Sequence, residues 1–70
     1  MSNTIRITVN GEAREVQEAC TVAQLIEELQ LTGKRIAVER NLEIVPRSEH
    51  ALTPLQANDV VEIVQAIGGG

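Results

Sequence analysis

The sequence contains no phenylalanine, tyrosine or tryptophan, and only one cysteine and one histidine, in 70 residues. Without aromatic rings the core must be aliphatic, and stacking on nucleobases is excluded as a binding mode. One cysteine cannot form an internal disulfide, which fits a reducing compartment. No signal peptide and no run long enough to cross a membrane is visible, so we expect a cytoplasmic protein without membrane contact.

Positive charge is also scarce, because six basic residues face ten acidic ones and the net charge is −4. This balance argues against nucleic-acid binding and slightly favours a basic protein partner, although it equally serves solubility. His50 has no second ligand at metal-binding spacing, so we expect no metal site. No Ser-His-Asp, Cys-His or phosphate-loop pattern is present, and we expect that the chain is not an enzyme.

The hydrophobic pattern predicts a small α+β domain. Polar and apolar residues alternate over residues 4–9, and Asn10-Gly11 predicts a type I′ turn into an edge strand over residues 12–17. Thr21 and Gln24 have the spacing of a capping box, which predicts a helix of about ten residues ending at Gly33. Further strands are predicted over residues 36–38, 43–45 and 60–67.

This order of elements allows one helix to cover one face of a four- to five-stranded mixed sheet. The last strand then lies beside the first and runs parallel to it, which is the ubiquitin-like β-grasp. We assign residues 1–67 to the β-grasp domain and residues 68–70 to a flexible C-terminal glycine tail.

The last strand and the tail contain the candidate functional residues. The parity of Glu62 puts Val64 and Ala66 on the solvent side, and an exposed apolar pair beside a tail is typical of a contact surface. An ionised carboxylate on Gly70 is a poor acyl donor, but adenylation by another enzyme would make it an electrophile. Glycine suits this role because residues without Cβ can enter a narrow channel. A frayed end is the alternative, and the β-grasp domain upstream favours a functional tail.

Cys20 precedes the predicted helix, where a thiol pKa can be lowered. The alternative, which we favour, is a small half-buried residue at a strand–helix junction.

Five segments carry a resemblance to a known family. They are IRITVNG (5–11), TVAQL (21–25), IAVE (36–39), IVPR (44–47) and DVVEIVQAIGGG (59–70). These segments, spread over the whole chain, resemble the ThiS family, the sulfur carriers of thiamine thiazole biosynthesis. Asn41-Leu42 departs from the Asn-Gly turn frequent in such proteins, which adds Leu42 to the exposed apolar surface.

The resemblance implies that an E1-like adenylyltransferase of the ThiF type activates the Gly70 carboxylate with ATP and Mg. Sulfur from a persulfide donor then displaces AMP and leaves a thiocarboxylate, from which a ThiG-type thiazole synthase accepts sulfur. Gly68 and Gly69 supply reach for threading into the partner enzymes. ATP and Mg belong to the activating enzyme, so no cofactor is expected in this chain. The residues implied to contact the partners are Val64, Ala66 and Ile67.

Other functions stay open at this point. A sulfur carrier for molybdopterin or for another thiolation pathway would share the tail chemistry, although the molybdopterin carriers are usually longer and have Phe near the tail. A non-reactive β-grasp interaction module and a ubiquitin-like modifier are the remaining alternatives.

Overall fold

The computed structural model describes residues 3–65, which form five strands, one α-helix and one 3₁₀ helix. The elements are β1 (Thr4–Val9), β2 (Glu12–Gln17), α1 (Val22–Glu28), β3 (Ile36–Arg40), β4 (Glu43–Val45), the 3₁₀ helix (Arg47–Leu52) and β5 (Val60–Gln65). The predicted strands are confirmed within this range, and β3 extends two residues further than expected. The predicted domain boundary at residues 67 and 68 lies outside the described residues.

The strands form one mixed sheet in the order β2-β1-β5-β3-β4. β5 pairs with β1 in parallel and with β3 antiparallel, and both hairpin pairs are antiparallel. β2 is an edge strand, as its polar composition predicted. This topology, with one helix on one face, is the ubiquitin-like β-grasp, so the predicted fold is confirmed.

The core between the sheet and α1 is entirely aliphatic apart from one thiol. Its most deeply buried side chains, each at most 1% exposed, are Ile7, Val22, Leu25, Val38 and Val61. Branched aliphatic side chains suit both the pleated sheet and close packing, so a core without rings still excludes water. No helix in residues 3–65 is long and apolar enough to cross a membrane.

The helix begins as predicted and ends earlier. Thr21 Oγ1 accepts from the Gln24 N–H (3.2 Å) and the Gln24 side chain accepts from the Thr21 N–H (2.9 Å), which completes the capping box. The expected ten residues and the stop at Gly33 are wrong, because α1 closes after seven residues. Gln30 takes a φ of 61°, and the Leu31 N–H reaches back to the Ile26 carbonyl at 3.0 Å. This is a Schellman ending, which lets Leu31 pack against the core.

The two hairpin turns, which follow the oppositely directed strands β1 and β3, each begin with asparagine. Asn10 and Gly11 have φ values of 51° and 85°, as the predicted type I′ turn requires. Asn41 and Leu42 have φ values of 53° and 71°, so the second turn imposes the same conformation on a leucine. Leu42 is 87% exposed, which confirms its place on the apolar surface and leaves little packing to offset the strain.

We therefore expect Leu42→Gly to raise the free energy of unfolding by about 0.5–1 kcal/mol, because glycine adopts positive φ without steric cost. Urea denaturation measures the change. Gly11→Ala is the matched control in the other hairpin and should lower stability by about 1 kcal/mol or more. A Leu42→Gly variant less stable than the parent would contradict this interpretation of the turn.

Candidate docking and tail-presentation site

The two faces of β5 differ as the sequence predicted. Val61 and Ile63 are buried on the helix side, whereas Val60 and Val64 are 44% and 64% exposed on the opposite face of the sheet. Val64, the predicted partner-binding residue within the described range, is therefore available for contact. β5 therefore has apolar residues on both faces, and the core of the domain covers only one of those faces.

Neighbouring strands add to this exposed surface. Ala37 of β3 lies directly opposite Val64, and Ile44 of β4, 71% exposed, points to the same side. We call these apolar residues of the outer sheet face the outer patch. Its members are Ala37, Ile44, Val60 and Val64.

Two carboxylates lie side by side within the outer patch. Glu39 and Glu62 are direct cross-strand partners, and Glu39 is half-buried between Glu62 on one side and Ile44 on the other. Like charges directly opposite each other destabilise a strand pair. Neither carboxylate forms a salt bridge with another side chain in residues 3–65. The outer patch is therefore apolar with a negative centre, which suits a partner surface that carries a cation.

The described part of β5 ends beside the start of β3. Gln65 is paired with Ile36, and the two residues before Ile36, Lys34 and Arg35, are exposed. The last described residue of β5 therefore lies next to a positively charged segment. The other predicted site residues lie outside the described residues, and their roles stay predictions. They are Ala66, Ile67, Gly68, Gly69 and Gly70.

Asn10 contacts β5 in a way that the sequence analysis did not foresee. Its side-chain Oδ1 accepts from the Ile63 N–H at 2.8 Å, and its Nδ2 donates to the Ile63 carbonyl at 3.2 Å. Its own backbone N–H donates to the Val61 carbonyl at 2.9 Å. The Asn10 side chain thus continues the β1–β5 ladder by one step beyond the end of β1. The Asn-Gly pattern indicated only a turn, because side-chain reach across 53 positions has no local sequence signal.

Asn41 makes a corresponding contact at the start of β5. Its Oδ1 accepts from the Val60 N–H at 2.9 Å, and its Nδ2 donates to Asp59 Oδ1 at 3.1 Å. Asp59 is buried and also accepts from the Gln56 N–H at 2.8 Å and from Arg40 at 3.4 Å. The two turn asparagines therefore hold β5 at two positions, Val60 and Ile63.

Cys20 and His50 have structural positions. Cys20 is 3% exposed and its thiol donates weakly to the Thr21 carbonyl at 3.4 Å. Burial raises the pKa of this thiol, the Glu28 carboxylate raises it further, and Arg14 opposes them. Cys20 is therefore more deeply buried than the half-buried position that we favoured, and its pKa moves opposite to the lowered pKa of a reactive thiol. His50 is buried and donates from Nε2 to the Val45 carbonyl at 3.0 Å, which holds the 3₁₀ helix against β4. Within residues 3–65, no three acidic, Cys or His side chains are grouped as a metal site would require.

We expect Cys20 to react with a disulfide reagent about tenfold more slowly, or slower still, in the folded protein than in urea. The thiolate is the reactive form, and a raised pKa lowers its fraction at any given pH. The rate in the folded protein should therefore still be rising with pH above the ordinary thiol pKa. Absorbance of the released thiol measures both rates, and a fast reaction at neutral pH in the folded state would contradict the structural role.

The fold and the outer patch together define the class of this protein: a ubiquitin-like β-grasp domain whose central strand leads toward a glycine-rich segment. Comparison with known proteins narrows the class. The model of the ThiS family matches residues 7–70. The chain belongs to the ThiS family.

Individual relatives agree with this membership. The sulfur carrier protein ThiS of Bacillus subtilis is 34% identical over 65 residues, which cover 91% of this chain and 98% of that protein. The crystal structure of the thiamine biosynthesis protein ThiS from Geobacter metallireducens superposes with a TM-score of 0.81 at 30% identity, covering 94% of this chain and 100% of that chain.

A different kind of relative is a thiazole synthase. The thiazole synthase of Paramagnetospirillum magneticum is 44% identical over 66 residues, which are 94% of this chain and 20% of that protein. The chain therefore spans about a fifth of the length of the thiazole synthase that it matches.

Proposed function

We propose that this protein is a sulfur carrier of thiamine biosynthesis that is itself not an enzyme and acts in the cytoplasm. Its Gly70 carboxylate is adenylated by an E1-like enzyme of the ThiF type and is converted to a thiocarboxylate. A thiazole synthase of the ThiG type then receives the sulfur. The observation that carries this proposal is β5, which contributes Val64 to the outer patch and leads directly toward the glycines.

The chemistry requires two displacements followed by one reduction. A carboxylate oxygen of Gly70 attacks the α-phosphorus of ATP, and pyrophosphate leaves. A persulfide sulfur then attacks the carbonyl carbon, and AMP leaves with the carboxylate oxygen. A second thiol reduces the resulting acyl disulfide and releases the thiocarboxylate. Every step takes place in a partner's active site, so ATP and Mg are bound by the activating enzyme and no cofactor by this chain.

The described residues support a carrier that depends on its partners for catalysis. The one thiol in the chain is buried with a raised pKa, so Cys20 is poorly suited to act as the persulfide donor. The outer patch offers the partners an apolar surface near the end of β5. The Glu39–Glu62 pair gives this surface a negative centre, which suits a partner surface that carries a cation. A thiazole synthase contains a region similar to this chain, and this shared region favours an enzyme of that kind as one of the partners.

We expect the intact mass to increase by one oxygen-to-sulfur exchange when the protein is incubated with its activating enzyme, ATP, Mg and a sulfur donor. Fragmentation by mass spectrometry should place the exchange on Gly70. A variant lacking Gly70 is the control, because it keeps every described residue and loses the reactive glycine. An unchanged mass with an activating enzyme that modifies a second carrier would overturn the proposal.

Docking through the outer patch predicts that Val64→Ser weakens binding to the activating enzyme by about five- to thirtyfold, which corresponds to about 1–2 kcal/mol of lost apolar burial. Leu52→Ser is a matched control, because Leu52 is 76% exposed on the 3₁₀ helix rather than on the outer face. Titration calorimetry measures both affinities. Equal losses in the two variants would mean that the outer patch does not form the interface.

A further inference from the structure

The edge of β5 that faces β1 is only partly covered by backbone pairing. The Thr8 N–H donates to the Asp59 carbonyl and the Asn10 N–H to the Val61 carbonyl, both at 2.9 Å. β1 ends at Val9, so no backbone of β1 reaches Ile63, the next residue whose backbone groups point to this edge. The Asn10 side chain occupies that position with both of its polar atoms.

An asparagine side chain carries the same donor and acceptor groups as a peptide unit. Asn10 therefore pairs with Ile63 as one more residue of β1 would. The left-handed backbone conformation of Asn10 (φ 51°) lets the main chain turn into the hairpin while the side chain bonds to Ile63. Ile63 lies two residues before Gln65, where the described part of β5 ends.

We propose that Asn10 is a positioning residue for the reaction of the tail. By holding the Ile63 backbone on the side of β1, while β3 holds β5 on the other side, it fixes the direction in which the chain leaves the sheet. This inference rests on the proposed function, in which that segment enters a partner's active site. A tail that leaves the sheet in one direction loses less conformational freedom on entering a channel than a tail that swings.

Asn41 provides a matched control within the same molecule. It also starts a hairpin turn, it has a similar φ (53°), and it also bonds β5 through its side chain. Its contact lies at Val60, at the far end of β5 from the tail. Asn10→Gly and Asn41→Gly each remove the side-chain bonds and keep a residue that adopts positive φ readily. Both variants should lose stability, but only Asn10→Gly should change how the tail is presented.

The first measurement is amide hydrogen exchange in the free protein, compared between the two variants and the parent. The Ile63 amide should exchange about fivefold faster, or more, in Asn10→Gly, because two hydrogen bonds that close this edge are lost. It should change much less in Asn41→Gly. The exchange rates are corrected for the global stability of each variant. If the Ile63 amide then exchanges equally fast in both variants, Asn10 does not hold the Ile63 backbone as proposed.

The second measurement is pyrophosphate exchange by the activating enzyme as a function of carrier concentration. We expect KM for the carrier to rise about three- to tenfold in Asn10→Gly with kcat nearly unchanged, and to stay near the parent value in Asn41→Gly. An equal rise of KM in both glycine variants overturns the positioning role.

The two measurements separate this inference from the proposed function. If the parent protein supports no pyrophosphate exchange with an active enzyme, the proposed function fails, and the positioning role falls with it. The exchange rate of Ile63 then still decides whether Asn10 clamps β5. If the parent is activated normally and Asn10→Gly is activated with the same KM, the proposed function stands and the positioning role of Asn10 is wrong.

Discussion

The structure depends on the central placement of β5 between β1 and β3. Within residues 3–65, β5 is the last strand in sequence, yet it joins two hairpins that otherwise share no hydrogen-bonded edge. Its parallel pairing with β1 closes a contact across more than 50 positions of the chain, and such a contact forms at a high entropic cost. Aliphatic packing of Val61 and Ile63 against α1 offsets that cost, because both side chains are buried.

The two turn asparagines make this central placement specific. Each turn needs a residue that tolerates positive φ, and asparagine satisfies that need while keeping a side chain with a donor and an acceptor. Asn41 bonds the first residue of β5 and Asn10 the fourth. Glycine would serve the turns equally well but would leave β5 held only by backbone pairs that end at Val61 on the side of β1. One residue type therefore serves both the local turn and the distant strand.

Local patterns were sufficient to predict most of the fold. Alternation gave the strands, the Thr21–Gln24 spacing gave the helix start, and the order of elements gave the topology. The helix end was mispredicted because the packing of Leu31 decides it, and Gln30 accepts a conformation that is usually given to glycine. In the site, the exposure of Val64 followed from parity, whereas Ile44, the Glu39–Glu62 pair and the reach of Asn10 depend on strand neighbours. No property of a single segment specifies those neighbours.

The central position of β5 also has a mechanical consequence. A force that pulls the chain beyond Gln65 acts along the axis of β5, and therefore along the ladders with β1 and β3 on both sides. Such a force strains the ladder hydrogen bonds together in shear rather than opening them one after another from an edge. A domain pulled in this direction resists extension better than one pulled from an edge strand such as β2 or β4. A pull along β5 from Gln65 is therefore shared by β1 and β3, and the sheet resists it as one unit.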